Sequence, residues 1–239
     1  MRQSRSEGFT IIELLIATAV FSVVLLTVSA AITQIGRLYY KGITSARTQE
    51  VARSVMDDIA QSIQFNVGDV VGLSSSTYSN ELDNDSNDSR AVCISTKHYS
   101  FKFGQQVGPG KHGLVANEIS SGCTSTVAQN LDTATVSGNE LLGDKMRLAN
   151  LVVEPSGAPD SYRVTVRVVY GDSDLLCNPT SHSGGKDDCA STQGWDESNQ
   201  QDRNALAGTH NLSCKNIRSG TQFCAASELS TIVKRRLVE

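Results

Sequence analysis

An uncharged apolar stretch near the N-terminus constrains this chain more than any other feature of the sequence. No charged side chain occurs between Leu14 and Gly36, and most of the residues there are aliphatic or small. A helix of about 23 residues is about 35 Å long, which is enough to cross the hydrocarbon core of a bilayer. The sequence therefore predicts one membrane-spanning helix.

A cleaved secretory signal is the main alternative for this stretch. Arg2 and Arg5 precede it as a small basic region, and residues 28–30, Val-Ser-Ala, offer a cleavage site that would leave Ala31 as the new N-terminus. Glu13 argues against this alternative. A carboxylate inside a membrane segment costs about 2.5–3.5 kcal/mol on insertion scales, so it is expected only where it has a function.

The residues around Glu13 form a specific motif. Residues 8–15 read Gly-Phe-Thr-Ile-Ile-Glu-Leu-Leu and follow a short basic leader. This segment resembles the prepilin cleavage and methylation motif of type IV pilins and type II secretion pseudopilins. In that family a prepilin peptidase cuts after the Gly and methylates the new amino terminus. The resemblance therefore implies cleavage after Gly8 and N-methylation of Phe9.

The resemblance also implies an assembly role for Glu13 and Phe9. In the apolar core of a helical filament, the Glu13 carboxylate would pair with the N-terminal amine of a neighbouring subunit's Phe9. Such a pair would set the subunit register, because a buried charge is tolerated when paired and strongly unfavourable when alone. In the alternative interpretation, Glu13 lies near one end of the helix and its carboxylate simply reaches the bilayer interface.

The apolar pattern continues past the membrane segment as an amphipathic helix. Between Val51 and Ile63, apolar residues recur at steps of three and four with charged residues between them. This pattern predicts one helix from about Thr10 to about Gln64, bent or loosened near its two glycines. The alternative is two helices separated at residues 41–42, Lys-Gly.

The rest of the chain predicts an antiparallel sheet. Residues 68–90, rich in Ser, Asn, Asp and Gly, are typical of a surface loop. Residues 161–170 alternate apolar and polar side chains, the period of a half-buried antiparallel strand. Further strands are predicted at 91–95, 99–103, 147–153 and 229–237, with an irregular region at 171–228.

These elements predict an α+β fold, which the resemblance makes pilin-like: a long N-terminal helix, with a transmembrane lower half, packed on an antiparallel β-sheet. The predicted organisation is a leader at 1–8, a transmembrane and assembly helix at 9–36, its amphipathic continuation at 37–66, and an extracytoplasmic β-rich domain at 67–239 with cysteine-rich loops at 171–228.

Six cysteines, all beyond residue 90, form an even set typical of a disulfide-bonded extracytoplasmic domain. Basic residues on both sides of the apolar helix leave its orientation open. The cysteines decide the orientation, because they belong in an oxidising compartment and so place the C-terminal domain outside the cytoplasm. Neighbour pairing is one of fifteen connectivities. It would join Cys93 to Cys123, Cys177 to Cys189 and Cys214 to Cys224.

Metal sites are not predicted. The cysteines include no Cys-x-x-Cys pair, and the histidines show no ligand spacing that would indicate zinc. Asp83, Asp85 and Asn87 have the spacing that opens a calcium loop, but Asp88 stands where that loop needs Gly and Ile94 where it needs Glu. We therefore predict no cofactor, and calcium has no support from the sequence.

Composition and motifs also argue against nucleic-acid binding and catalysis. The net charge of −4 and the aromatic content of 5% give neither a basic patch nor a base-stacking surface. No Gly-x-Ser-x-Gly elbow accompanies the four histidines, which are predicted to be surface residues. Trp195, the single tryptophan, is either a loop anchor or an exposed contact for a partner.

The sequence thus predicts a filament subunit and not an enzyme. The resemblance implies a protein of the inner membrane with an extracytoplasmic domain, assembled into a type IV pilus or a type II secretion pseudopilus. Its partners would be the prepilin peptidase, other pilins or pseudopilins, and an inner-membrane assembly platform. The length and the cysteine-rich tail resemble those of minor pilins or minor pseudopilins, which initiate or cap filaments. The alternative is an extracytoplasmic binding or sensor domain on an uncleaved signal anchor.

Overall fold

The structure is a computed structural model. It describes residues 9–65, 70–71, 89–94, 96–119, 123, 127–177, 195–198, 202, 206, 211–215 and 220–236. The chain divides into two compact units, Met1–Tyr40 and Lys41–Glu239.

A single long helix, α1, comprises Ile11–Gln64. No proline interrupts its sequence, and the two glycines inside it, Gly36 and Gly42, cost only about 1 kcal/mol each relative to alanine. The prediction of one helix from Thr10 to Gln64 is therefore confirmed, and the alternative of two helices is wrong.

In the described part of the chain, ten strands follow α1, and they form three antiparallel sheets. The first sheet has the order β1-β2-β3-β4-β5, the second β10-β7-β6, and the third β8-β9. The strands are β1 (Val70–Val71), β2 (Arg90–Ile94), β3 (Lys97–Phe101), β4 (Leu114–Glu118), β5 (Asn139–Glu140), β6 (Met146–Pro155), β7 (Ser161–Tyr170), β8 (Leu176–Cys177), β9 (Ser213–Cys214) and β10 (Ala225–Lys234).

The alternation of apolar and polar residues correctly predicted β7, with the same bounds. The strands predicted at 91–95, 99–103 and 147–153 correspond to β2, β3 and β6 with shifts of one or two residues. The last strand, β10, begins at Ala225 instead of residue 229. The segment joining β6 to β7 has positive φ angles at Gly157 (87°) and Asp160 (54°), a conformation that Gly adopts freely and Asp tolerates.

The main core lies between the second half of α1 and the two larger sheets. Helix residues at steps of three and four are buried there, which confirms the amphipathic pattern: Thr48, Ala52, Val55, Met56, Ile59, Ser62 and Ile63. They pack with apolar side chains of β2, β3, β6 and β7, such as Tyr99 and Val166. The Tyr99 hydroxyl lies 2.8 Å from Ser62 Oγ and donates to Asp58 Oδ2 at 2.7 Å, so polar contacts also hold α1 to β3.

A second, smaller core involves the cysteine-rich region. Trp195 is 2% exposed and packs with Val169, Leu176 and Leu212. Its Nε1 donates to the carbonyl of Gly104 at 3.2 Å, and a Cβ on Gly104 would lie 2.4 Å from the indole ring. Of the two interpretations of Trp195, the structure therefore supports the loop anchor and contradicts the exposed contact.

Arg147 connects β6 to the same region through a buried ion pair. Its side chain is fully buried, and Nη1 donates to Glu197 Oε2 and to the carbonyl of Gly104, each at 3.0 Å. Nη2 donates to Gln106 and to Ser173 at 2.9 and 2.8 Å. Glu197 also accepts from Lys111 Nζ. One guanidinium thereby joins β6 to three loops.

Two disulfides of the predicted neighbour pattern are present, Cys93–Cys123 and Cys214–Cys224, with Cα–Cα distances of 5.5 and 5.8 Å. Cys177 is also disulfide-bonded, while Cys189 lies outside the described residues. The long helix, the antiparallel sheets and these disulfides confirm the predicted pilin-like α+β fold. The domain boundaries inferred at residues 8, 36 and 66 stay predictions.

Candidate functional site

The N-terminal turn of α1 holds Glu13 in a reciprocal hydrogen-bonded cap with Thr10. The Glu13 carboxylate accepts from the Thr10 N–H at 2.9 Å and from its hydroxyl at 2.7 Å, while the Thr10 hydroxyl oxygen accepts from the Glu13 N–H at 3.3 Å. This is a capping box, in which Thr or Ser precedes Glu by three residues. The spacing between Thr10 and Glu13 is visible in the sequence, but the cleavage motif by itself gives Thr10 no role.

The cap directs the Glu13 carboxylate toward the N-terminal end of the helix. Both bonds to the carboxylate use Oε2. Within the described part of the chain, no hydrogen bond to Oε1 is found, so this oxygen can accept from another donor. Phe9, immediately before Thr10, is 81% exposed. Gly8 lies outside the described residues.

The helix beyond this cap presents apolar side chains to its surroundings on every face. Among the described residues, one helix, α1, is long and apolar enough to span a membrane, and none of the residues in its apolar window is buried. The exposed large side chains include Ile11, Leu14, Phe21, Leu26 and Ile35. Such a surface requires lipid or other apolar helices around it.

Four hydroxyl groups within this segment are satisfied by the helix itself. Thr18, Ser22, Thr27 and Thr33 donate to main-chain carbonyls three or four residues earlier, at distances of 2.7–3.0 Å. A hydroxyl without a partner in an apolar medium would cost several kcal/mol. These bonds therefore make the polar residues of the segment compatible with an apolar environment.

The apolar surface ends in an aromatic and basic sequence, Arg37-Leu38-Tyr39-Tyr40-Lys41. Tyr39 and Tyr40 are 67% and 55% exposed, and their rings meet edge to face at 6.2 Å. Tyrosine is enriched at membrane–water interfaces, where its ring is apolar and its hydroxyl is hydrated. The composition here is typical of the end of a membrane-spanning segment.

The remaining residues considered for chemistry do not form a catalytic or metal-binding arrangement in the described part of the chain. His98 is 4% exposed, so the prediction of a surface position is wrong for it: Cys123, Val127 and Gln129 contact this part of β2 and β3. His98 groups with Cys93 and Cys123, whose sulfurs are joined as a disulfide and are therefore unavailable as thiolate ligands. Asp83, Asp85 and Asn87 lie outside the described residues, as do His182 and His210.

The comparisons agree with the motif at the N-terminus. Residues 3–29 match the family described as the prokaryotic N-terminal methylation motif. In this segment the chain is similar to type IV pilins and pseudopilins, which carry this motif. Comparison with curated proteins and with solved structures gives no match.

This motif implies processing by a prepilin peptidase and assembly into a pilus or pseudopilus, with membrane anchoring before assembly. Proteins of this family are typically structural subunits and not enzymes. The match ends at residue 29, before the sheets begin, and distinguishes neither pilus from pseudopilus nor major from minor subunits.

Proposed function

We propose that this protein is a minor pilin or minor pseudopilin. It is cut after Gly8 by a prepilin peptidase, N-methylated at Phe9, and assembled through α1 into a type IV pilus or a type II secretion pseudopilus. The observation that carries this proposal is the coincidence of the motif at residues 3–29 with a helix whose apolar surface is exposed on every face. The same surface serves first as a membrane anchor and then as a subunit interface.

Glu13 and the amine of Phe9 guide the packing of these helices. The capping box holds the carboxylate at the N-terminal end, and Oε1 is open to a further donor. A protonated amine from a neighbouring helix is such a donor, and charge-assisted hydrogen bonds of this kind are about twice as strong as neutral ones. In an apolar filament core each charge removes the cost of burying the other.

A position at the end of a filament is supported by the size of the extracytoplasmic part. The chain has 239 residues. The part beyond α1 contains a second core around Trp195 and its own disulfides, beyond what is needed to cover the helix. A large domain of this kind suits a subunit that initiates or caps an assembly, where neighbours are present on one side only.

N-terminal mass spectrometry tests the processing step. The full chain is purified from a host that expresses a prepilin peptidase and, as a control, from the same host without it. We expect a mature chain that begins at N-methylated Phe9 only in the first case. A chain that still begins at Met1 in both would contradict the proposal and favour a tethered binding or sensor domain. A start at Ala31 would indicate a secretory signal instead.

A further inference from the structure

Cys93, Cys123 and His98 meet on one face of the first sheet. Cys93 in β2 lies directly opposite His98 in β3, and Cys123 reaches them from the segment after β4. The two sulfurs and one ring nitrogen of His98 lie within 4.8 Å of one another. All three residues are buried, with exposed fractions of 0%, 6% and 4%.

The contact between Cys93 and His98 is local in sequence, whereas the contact between Cys93 and Cys123 is not. Only two residues separate the end of β2 at Ile94 from the start of β3 at Lys97, so the two strands form a local hairpin. Hairpins of this kind form in about 1–10 μs. Cys123 is 30 residues from Cys93 along the chain and must be brought in by the rest of the domain.

We propose that His98 acts as a general base that accelerates formation of the Cys93–Cys123 disulfide. A free thiol, with an ordinary pKa of about 8.5, is mostly protonated near pH 7, whereas only the thiolate attacks a disulfide. An imidazole that the hairpin places beside the thiol can accept the thiol proton and so generates the thiolate. The inference does not depend on assembly of the protein into a filament.

The chemistry is a thiol–disulfide exchange with an extracytoplasmic oxidant that carries a disulfide. The Cys93 thiol gives its proton to His98, and the thiolate attacks one sulfur of the oxidant, forming a mixed disulfide and releasing one thiolate that takes up a proton. The Cys123 thiol then loses its proton to His98 and attacks Cys93 Sγ, which releases the second thiol. Two protein thiols lose two electrons and two protons, and the oxidant's disulfide becomes two thiols.

The surroundings of His98 favour the neutral ring that accepts a proton. Its Nδ1 lies 3.3 Å from Ser100 Oγ, and its register partner in β4 is the uncharged Asn117. Burial lowers the pKa of His98, and a hydrogen bond with the main chain of Val127 opposes this only in part.

Two charged groups of the described elements, Lys102 and Glu140, lie on the same side of the sheet as His98, and both have other partners. Lys102 binds Asp132 at 2.7 Å, and Glu140 of β5 accepts from three main-chain N–H groups.

The charged pair in register with the end of β3, Lys97 and Glu118, belongs to the opposite face, because successive strand residues alternate. Lys97 Nζ contacts Asp58 of α1, at 2.6 Å. No ion pair of the described residues therefore competes with the two sulfurs for the ring of His98.

The test compares oxidation rates of the full chain with and without the imidazole. Reduced, unfolded wild type and His98→Asn are diluted into detergent micelles with glutathione disulfide at pH 7.0 and pH 9.5. Samples are quenched by alkylation, and each disulfide is quantified by peptide mass spectrometry. At pH 7.0 we expect Cys93–Cys123 to form about three- to tenfold more slowly in His98→Asn. At pH 9.5, where thiols ionise unaided, the two rates converge.

Two controls separate this chemistry from a folding defect. The Cys214–Cys224 bond is the internal reference and forms at the same rate in both proteins. His112→Asn is the matched histidine variant. His112 lies between β3 and β4, and among the described residues it does not group with a cysteine. An unchanged Cys93–Cys123 rate at pH 7.0 in His98→Asn would overturn the proposal. An equal slowing at both pH values would also overturn it, because that result indicates a structural role.

Discussion

At the residue scale, Glu13 is a charge at the margin of an apolar helix whose described partner lies within the same turn. The capping box with Thr10 stabilises the first turn of α1 and fixes where the carboxylate points. It does so without neutralising the charge, because a neutral hydroxyl and a main-chain N–H supply the bonds. A local cap and an intersubunit ion pair are therefore compatible roles of one side chain.

Replacing Glu13 by Ala separates these roles. We expect membrane insertion to be unchanged or improved, because an ionised side chain is removed from the apolar segment. Incorporation into filaments should fall about tenfold or more, because the neighbouring amine is left buried and unpaired. Quantitative immunoblots of the membrane and sheared-filament fractions measure both effects.

The matched control is Thr10→Val, which removes the cap but keeps the carboxylate. It should cost the helix about 1 kcal/mol and reduce incorporation much less than Glu13→Ala does. Undiminished incorporation of Glu13→Ala would exclude the pairing role.

Arg147 differs from Glu13 in two respects: its side chain is fully buried, and its ion-pair partner Glu197 is distant in sequence. We expect Arg147→Met to lower the free energy of unfolding by about 1–3 kcal/mol, because three uncharged acceptors lose a buried donor, while Glu197 keeps its ion pair with Lys111. Arg163→Met is the control: Arg163 also pairs with a glutamate, Glu154, but its side chain is 50% exposed. That change should cost less than about 1 kcal/mol. Denaturant titration of the full chain in micelles gives both values, and equal losses would contradict the assigned role of Arg147.

At the element scale, α1 combines two surfaces in one helix. From Ile11 onward its apolar side chains are exposed, and from Thr48 onward one face is buried in the main core. The transition from the exposed apolar half to the half-buried half needs no break in the helix. The two halves differ in how their apolar residues are distributed around the helix, and neither contains a proline. This property made both halves predictable from the sequence.

A pair of isoleucine substitutions tests this division. Ile59 is fully buried and Ile43 is 47% exposed, and both lie in α1. Ile59→Ala should lower the free energy of unfolding by about 2–5 kcal/mol, because it leaves a cavity between the helix and the sheets. Ile43→Ala should change it by less than about 1 kcal/mol. Thermal unfolding of the full chain in micelles distinguishes them, and similar losses would show that the helix face is misassigned.

The sheets were predictable where a strand has a clear period or a short apolar run. The strand β7 alternates over ten residues, but β4 reads Leu-Val-Ala-Asn-Glu and has no such alternation. The two-residue strands β8 and β9 carry no periodic signal at all, because their pairing depends on tertiary contacts. Local pattern therefore identified the long strands, and packing decided the short ones.

The site was predictable for a related reason. Gly8, Phe9 and Glu13 belong to a contiguous motif, and Thr10 could have been added from its spacing to Glu13. The burial of His98 and Arg147 could not be inferred, because it depends on segments about 25 and 50 residues further along the chain. Interactions between distant segments leave no mark on a single sequence.

At the scale of the whole molecule, two partly buried carboxylates affect acid stability in opposite directions. Burial disfavours the charge of Glu197, but hydrogen bonds from Lys111 and Gln106 and the charge of Arg147 outweigh it, so the pKa of Glu197 lies below its ordinary value. Burial raises the pKa of Glu140, although three main-chain N–H groups and the charge of His112 oppose this. The stability that Glu197 contributes is complete above the ordinary pKa and is lost as the pH falls. The contribution of Glu140 is present at low pH and is lost as the pH rises.

Removing the Glu197 carboxylate should therefore flatten the acid side of the stability profile. We expect Glu197→Gln to be less stable than wild type at pH 7, with a difference that shrinks as the pH falls below about 4. Glu228→Gln, at an exposed partner of Arg167, should leave the profile unchanged. Unfolding midpoints between pH 3 and pH 7 measure both, and a constant difference for Glu197→Gln would contradict the assigned pKa shift.

The internally bonded hydroxyls of α1 have a consequence for the energy of moving this helix. Thr18, Ser22, Thr27 and Thr33 take their hydrogen-bond acceptors with them, as the main chain of the helix does. Exchanging a lipid environment for one of packed side chains therefore breaks no hydrogen bond at these four positions and demands no new one. At these four positions the difference in free energy between the two environments then depends on van der Waals contact, and Glu13 is the one charged side chain between Ile11 and Gly36. A single ionisable group can therefore contribute most to when the helix leaves the bilayer.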